Sequence, residues 1–243
     1  MPSWQSSQIL RQRYGGGVRT ADHMAKSVPM SIGQGMPPAP PNIVAAFTSR
    51  SAYTVALVFI DIEDFSITTR DMDSDEILTF VESYYEVVIP EVYRQGGEVE
   101  KVMGDGVIAV FGPPFGNGGD EGLLNAERCC ANVIRQLQGT NMAVKCALHQ
   151  GEIIYYPLGV GGYTEATMVG KAITELYRLE AMGKKDAIAF YSGTRYEEMK
   201  IESVLSHELR GGGPAKWSVD FDAQVINRSE IEYNQIGYRI YNR

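Results

Sequence analysis

Apolar and polar positions change period several times along the chain, and each change marks an element. From Tyr53 the run YTVALVFIDI is almost continuously apolar, the pattern of a short strand buried on both faces. Ser74 precedes DEILTFVESYYEVVIPEVYRQ, where Ile77, Phe80, Val81, Tyr84 and Val88 recur at helical spacing. Ser74 is the predicted cap, acids fill the first turn, and Gly96-Gly97 is the stop signal. Lys101 to Gly112, KVMGDGVIAVFG, reads as two short strands joined by Gly-Asp-Gly in a tight hairpin. A second helix is predicted from Asp120 to Gly139. MAVKCALHQGEIIYY reads as two strands separated by Gly151, GKAITELYRLEAMG as a helix closed by Gly183, and DAIAFYS as another strand. The order β-α-β-β-α-β with additions predicts an α+β fold: a ferredoxin-like core, three helices on a mostly antiparallel sheet.

Residues 1 to about 50 lack this periodicity. They contain YGGGV and GQGMPPAPPN, which predict a partly ordered arm ending in a proline-rich connector. Arg11, Arg13, Arg19 and Lys26 make the arm mildly basic; it reads as a solvated arm or as a segment that packs on a partner subunit. The globular part is expected over residues 51–243.

Bulk properties narrow the function. The chain has 243 residues, 44% of them hydrophobic, which suits one large domain with a true core. The net charge of −8 argues against nonspecific attachment to nucleic acid or to an anionic membrane. No apolar run approaches a membrane span, and the N-terminus lacks a signal-peptide pattern. Cys129, Cys130 and Cys146 lack metal-ligand spacing, and His23, His149 and His207 are scattered. The expectation is buried thiols in a reducing cytoplasm.

Gly-Asp-Gly is what any tight turn wants, so Asp105 alone decides nothing. In a ferredoxin-like core, however, the first strand lies beside the central hairpin, which brings Asp61, at the end of FIDIEDFS, towards Asp105. Two carboxylates at adjacent strand ends suit a hard cation, which takes oxygen ligands and leaves places for water and phosphate. Held close, the two charges are unfavourable unless a cation or proton neutralises them. The loop after Asp61 offers backbone N–H groups to phosphate oxygens. Glu63 and Asp64 read as turn or solvated residues.

VFIDIEDFS, GGEVEKVMGDGVIAVFGPP, ALHQGEIIY and VGKAITELYRLEAMGK stand in the order and approximate spacing of the class III nucleotidyl cyclase catalytic domain, which the chain resembles from about Thr54 to Ser192. The resemblance implies a head-to-tail homodimer with composite sites. One subunit would give the metal aspartates, Asp61 and Asp105, for two Mg²⁺ or Mn²⁺ ions. The other would give base-recognition residues and a transition-state arginine. That arginine ends the family pattern Gly-Asp-x-x-Asn-x-x-x-Arg, which here runs from Gly170 to Arg178. Arg178 matches; Thr174 replaces the Asn, with a shorter reach towards the ribose, and Lys171 replaces the Asp. Lys101 matches the base-recognition lysine, its alternative being a solvated strand residue.

The family's adenine-specific partner to that lysine is an Asp, and Thr167 holds the position. Lys101 and Thr167 can both donate to the carbonyls of uracil, whereas adenine and cytosine present an amine that prefers a carboxylate. Lys with Thr also resembles the bicarbonate-responsive adenylyl cyclases. The short domain with its degenerate Asn is similar to the bacterial pyrimidine cyclases of Pycsar anti-phage defence, whose cyclic UMP or cyclic CMP triggers a separate effector. The expected substrate is therefore UTP. Ile62 is placed with the substrate-binding residues. Phe59, on the strand face that Asp61 shares, is available either as a wall of the base pocket or as plain core. Rival readings are an adenylyl or cytidylyl cyclase, an inactive nucleotide-binding homologue, and a ferredoxin-like nucleic-acid-binding module, which would want sheet aromatics and a basic face.

Overall fold

The computed structural model describes residues 41–160, 163–199, 217–221 and 235–241. Strand β1 (Ala52–Ile62) leads through a single-turn helix to a long helix and then to the hairpin strands β2 (Glu98–Met103) and β3 (Gly106–Phe111). A second long helix leads to β4 (Val144–Val160). β3 pairs antiparallel with β1 and with β2, and β1 pairs antiparallel with β4. The order β2-β3-β1-β4 is the predicted ferredoxin-like core. The sheet then continues through β6 (Ala187–Tyr191), β8 (Ile236–Tyr241) and β7 (Trp217–Phe221), while β5 (Tyr163–Val169) pairs with β4.

The two long helices, α3 (Ser74–Arg94) and α4 (Gly119–Gln136), are the crossovers of the core and share one face of the sheet. Phe80, Tyr84, Val88 and Val92 of α3 and Leu123, Ala126, Val133 and Ile134 of α4 bury against Ala56, Val58, Ile60 and Ile62 of β1. The cap of α3 lies one residue earlier than the sequence predicts. Asp73 accepts from the N–H groups of Asp75 and Glu76 at 2.9 Å, and the Glu76 carboxylate accepts from the Asp73 N–H at 2.8 Å. The reciprocal pair outcompetes a Ser74 cap because it satisfies donors at both positions. The Gly96-Gly97 stop holds: Gly96 has φ +76°, and the Gly97 N–H donates to the Val92 carbonyl.

The opposite face is covered by α1 (Pro41–Ser49) and α5 (Lys171–Glu180). The end of the predicted arm is thus a helix, with Ile43, Ala46 and Phe47 buried and the Phe47 ring packed at 5.0 Å, tilted, against Tyr155 of β4. Residues 1–40, including the basic arm positions and His23, lie outside the described residues, as does His207.

The two strands expected around Gly151 are one continuous strand. Gly151 pairs with Val55 inside it. A Cβ there would come within 2.7 Å of Ala172 Cβ, so the glycine marks the closest approach of α5 to the sheet and not a break. The three cysteines are buried and free, as expected. Among the described residues no helix is long and apolar enough to cross a membrane.

Candidate active site

Along β1 the side chains alternate strictly. Ala56, Val58, Ile60 and Ile62 face α3 and α4, while Val55, Leu57 and Phe59 face α1 and α5. Asp61 continues the second series, so the strand ends with a carboxylate on the α5 side. The hairpin delivers the other one. β2 and β3 are joined by Gly104 and Asp105, with Gly104 at φ +62° and Met103 paired with Gly106. A positive φ at the first central position suits a two-residue hairpin and favours glycine. Gly106 is required for a different reason. It pairs with Asp61, and a Cβ there would lie 2.5 Å from the Phe59 ring and 3.0 Å from Asp61 Oδ1. Only glycine lets the hairpin lie this close to the acid.

Several bonds fix this corner. The Ile62 N–H donates to the Asp105 carbonyl at 3.2 Å, the Tyr84 hydroxyl donates to the Ile60 carbonyl at 2.7 Å, and the Tyr85 hydroxyl donates to the Gly104 carbonyl. Burial, and then the nearby charge of Asp105, push the Asp61 carboxyl up to about 7 from an ordinary value of 3.8. Lys145 acts in the opposite direction, with Nζ 3.3 Å from Asp61 Oδ2 and 2.8 Å from Glu180 Oε1. Sequence reading missed both Lys145 and Glu180. The signal lay in the strand pairing, since Lys145 stands directly opposite Asp61.

The chain leaving β1 turns through Asp64, at φ +55°, into the single-turn α2 (Phe65–Thr68). The Ile67 and Thr68 N–H groups are taken by the Asp64 carbonyl, and that of Glu63 by Ala143. Glu63 and Asp64 lie in the turn, as expected; Glu63 is half-buried, with its Oε2 lacking a hydrogen-bond partner among the described residues, and Asp64 is exposed.

The other predicted residues are distributed as follows. Ile62 points into the α3/α4 core at 2% exposure, so its side chain is unavailable to a ligand and only its backbone borders the carboxylates. Phe59 is buried and meets Tyr177 of α5 edge-on at 5.6 Å. It serves as core while forming the floor beside Asp61. Lys101 is exposed on β2, just past an irregularity between Val99 and Lys101 that leaves Glu100 out of the pairing. Glu100 is buried, and its charge helps to raise both the Tyr155 hydroxyl of β4 and the Tyr177 hydroxyl of α5, after burial itself. Thr167 is half-buried on β5, one residue before Met168, the register partner of Tyr155. Thr167 itself pairs with Tyr156, whose side chain lies on the face of β4 opposite to that of Tyr155.

On α5, Thr174 is exposed and Arg178 half-buried. They are four residues apart and so share a side. Glu180, two residues beyond Arg178, lies about 200° around the helix from it. Arg178 and Thr174 thus occupy the side of α5 away from the residue that reaches the carboxylates through Lys145. Behind the helix, His149 Nε2 lies 2.9 Å from Glu175 Oε2, a buried pair in which burial lowers the imidazole's proton affinity.

No protein-family profile matches the sequence. An adenylate cyclase of Dictyostelium discoideum specific to terminal differentiation is 23% identical over 218 residues, covering 78% of this chain and 10% of that protein. An uncharacterised Mycobacterium tuberculosis protein is 25% identical over 170 residues, 68% of this chain and 28% of that one. The chain therefore spans only about a tenth to a quarter of these relatives. Among solved structures, the adenylyl cyclase CyaB from P. aeruginosa superposes with a TM-score of 0.65 at 16% identity, covering 79% of this chain and 96% of that one. The catalytic core of a rhodopsin-guanylyl cyclase of converted specificity, in complex with ATPαS, gives 0.62 at 15% identity, covering 81% and 100%. The mixed α+β fold is that of class III cyclase catalytic domains.

Proposed function

We propose that the chain is a nucleotidyl cyclase that converts UTP to 3′,5′-cyclic UMP and pyrophosphate at a homodimer interface. The observation that carries this reading is the Asp61–Asp105 corner: two carboxylates forced together at the end of the central strands, in a fold shared with cyclase catalytic domains. The donor set fits Mg²⁺ or Mn²⁺. It consists of carboxylate oxygens only, the hard donors these ions take, and burial and then the charge of Asp105 raise the Asp61 carboxyl. Two carboxylates leave coordination places for water and for the triphosphate. Asp61 and Asp105 would hold two such ions, which when bound would supply Lewis-acid activation of the ribose 3′-oxygen and neutralise the leaving pyrophosphate.

The remaining roles belong to side chains. Arg178 of the partner subunit stabilises charge developing at the α-phosphate. Thr174 of the partner subunit orients the ribose through its hydroxyl. The placement of Arg178 and Thr174 on the side of α5 away from their own chain's carboxylates supports such a composite site. Lys101 and Thr167 donate to the uracil carbonyls, and Phe59 supports the pocket floor. No protein nucleophile is needed, since the 3′-oxygen attacks within the substrate. The likeness to Pycsar cyclases supports a role in which cyclic UMP signals to a separate effector in anti-phage defence.

A second reading, an adenylyl or cytidylyl cyclase, is favoured by one specific observation. Glu100, next to Lys101, supplies a buried carboxylate that can accept from an exocyclic amine. Incubation of the chain with each of the four nucleoside triphosphates and Mn²⁺, with products identified by mass spectrometry, separates the readings. Mostly cyclic UMP is expected. Mostly cyclic AMP or cyclic CMP removes the uridylate reading, and absence of any cyclic product removes the cyclase.

A further inference from the structure

Lys145 is the second residue of β4 and directly faces Asp61 across the strand pair. Its ammonium is shared between two carboxylates, 3.3 Å from Asp61 and 2.8 Å from Glu180, and the three side chains are only 23%, 14% and 16% exposed. Its stem is held as well. A Cβ on Gly183 would lie 3.0 Å from both Cβ and Cδ of Lys145, and the Gly183 N–H donates to the Glu180 carbonyl at 2.8 Å. The turn after α5 is thus folded around this lysine. Its position is built, and the shorter of its two ion pairs goes to a glutamate with no part in the chemistry above.

We propose, on the basis of the cyclase reading, that Lys145 is a tethered cation that neutralises Asp61 in the absence of a divalent ion and transfers wholly to Glu180 when an ion takes Asp61. An ammonium and a divalent ion at the same carboxylate repel each other strongly at this range. Without Glu180, the displaced ammonium would have to leave a half-buried site unpaired; with it, the lysine moves from a shared pair to a single one. Lys145 and Glu180 are positioning residues that set how readily the carboxylate pair accepts metal.

The test is Mn²⁺ binding to the full chain without nucleotide, followed by electron paramagnetic resonance of the free ion, with thermal unfolding as the control for folding. Asp61→Ala should abolish binding. Lys145→Met should tighten binding by about tenfold, the scale of one charge-assisted contact. Glu180→Gln should loosen it by a similar factor, because the lysine is then left with Asp61 as its carboxylate. The double variant should behave as Lys145→Met. Lys145→Gln replaces Lys145→Met should the latter fail to fold. A purely structural pair would weaken binding in both single variants, so shifts in the same direction, or none, overturn the handover. If Asp61→Ala binds Mn²⁺ normally, the metal site itself falls. If it does not bind and the two variants fail to diverge, only the handover falls.

Discussion

The two faces of the sheet use the same strands for opposite ends. On the α3/α4 face β1 contributes only Ala56, Val58, Ile60 and Ile62, and the charges buried on that side, Glu91 with Arg94 and Glu127 with Arg239, come from the helices and from β8. On the α1/α5 face β1 contributes Val55, Leu57 and Phe59 and then Asp61, and around these lie Glu100, the His149–Glu175 pair and the Lys145–Glu180 pair. Charge buried between sheet and helix requires partners at short range; both faces supply them, but only the α1/α5 face carries such a charge, Asp61, on β1 itself. The first holds the scaffold in register; the second would carry the proposed chemistry.

Breaking the second face should cost activity without stability. Asp61→Ala or Asp105→Ala should reduce cyclisation by at least about a hundredfold while far-ultraviolet circular dichroism and the proposed dimer stay unchanged. Mixing Asp105→Ala chains with Arg178→Ala chains should restore part of the activity, since a mixed dimer rebuilds one complete site. Near-normal turnover of either aspartate variant at saturating metal would refute the assignment, and no recovery despite proven subunit exchange would mean self-sufficient chains.

Breaking the first face should do the reverse. Ile60 is fully buried under α3, and Ile60→Ala should destabilise the fold by about 2–5 kcal/mol, read from chemical denaturation. Turnover per folded molecule should change little at low temperature. A loss of activity without a loss of stability would erase the distinction between the faces.

Replacing Thr167 with Asp sharpens the second face. An acceptor would stand where uracil also presents one, so UTP turnover should fall and ATP or CTP turnover rise, a change in relative kcat/KM on the order of tenfold. A competition assay with all four nucleotides measures it, and an unchanged preference would remove Thr167 from base recognition.

A further effect is one of pH. Because the Asp61 carboxyl is raised from 3.8 to about 7, the folded chain holds a proton that the unfolded chain has released between those values. Asp61 therefore costs stability progressively as pH rises through that window. Asp61→Asn lacks the charge, so its melting temperature should gain on that of the unmodified protein between pH 4 and 7 and stay level above. A constant difference across the window would mean that Asp61 is not so perturbed.

The strength of a signal in the sequence followed the same division. The core order was legible because β1 is continuously apolar and α3 strongly periodic, and because Gly96-Gly97 and Gly104-Asp105 are local chain geometry. The carboxylate corner was legible once that topology was assumed. Lys145 and Glu180 were not, because their meaning lies in cross-strand register and in the path of a turn, neither of which leaves a periodic trace. Glu100 was hidden by a bulge, which breaks the alternation that would have assigned its face. Gly151 was misread because a glycine within apolar residues signals a break as readily as a close approach.

Gly151 has a wider consequence for the tolerance of the whole molecule. The clearance between β4 and α5 at that point is less than one methyl group, since a Cβ would sit 2.7 Å from Ala172. α5 rests there as on a bearing, with Thr174 and Arg178 on one flank and Glu180 on the other. A side chain at position 151 would lift both flanks together and detune the charge network on that side of the sheet.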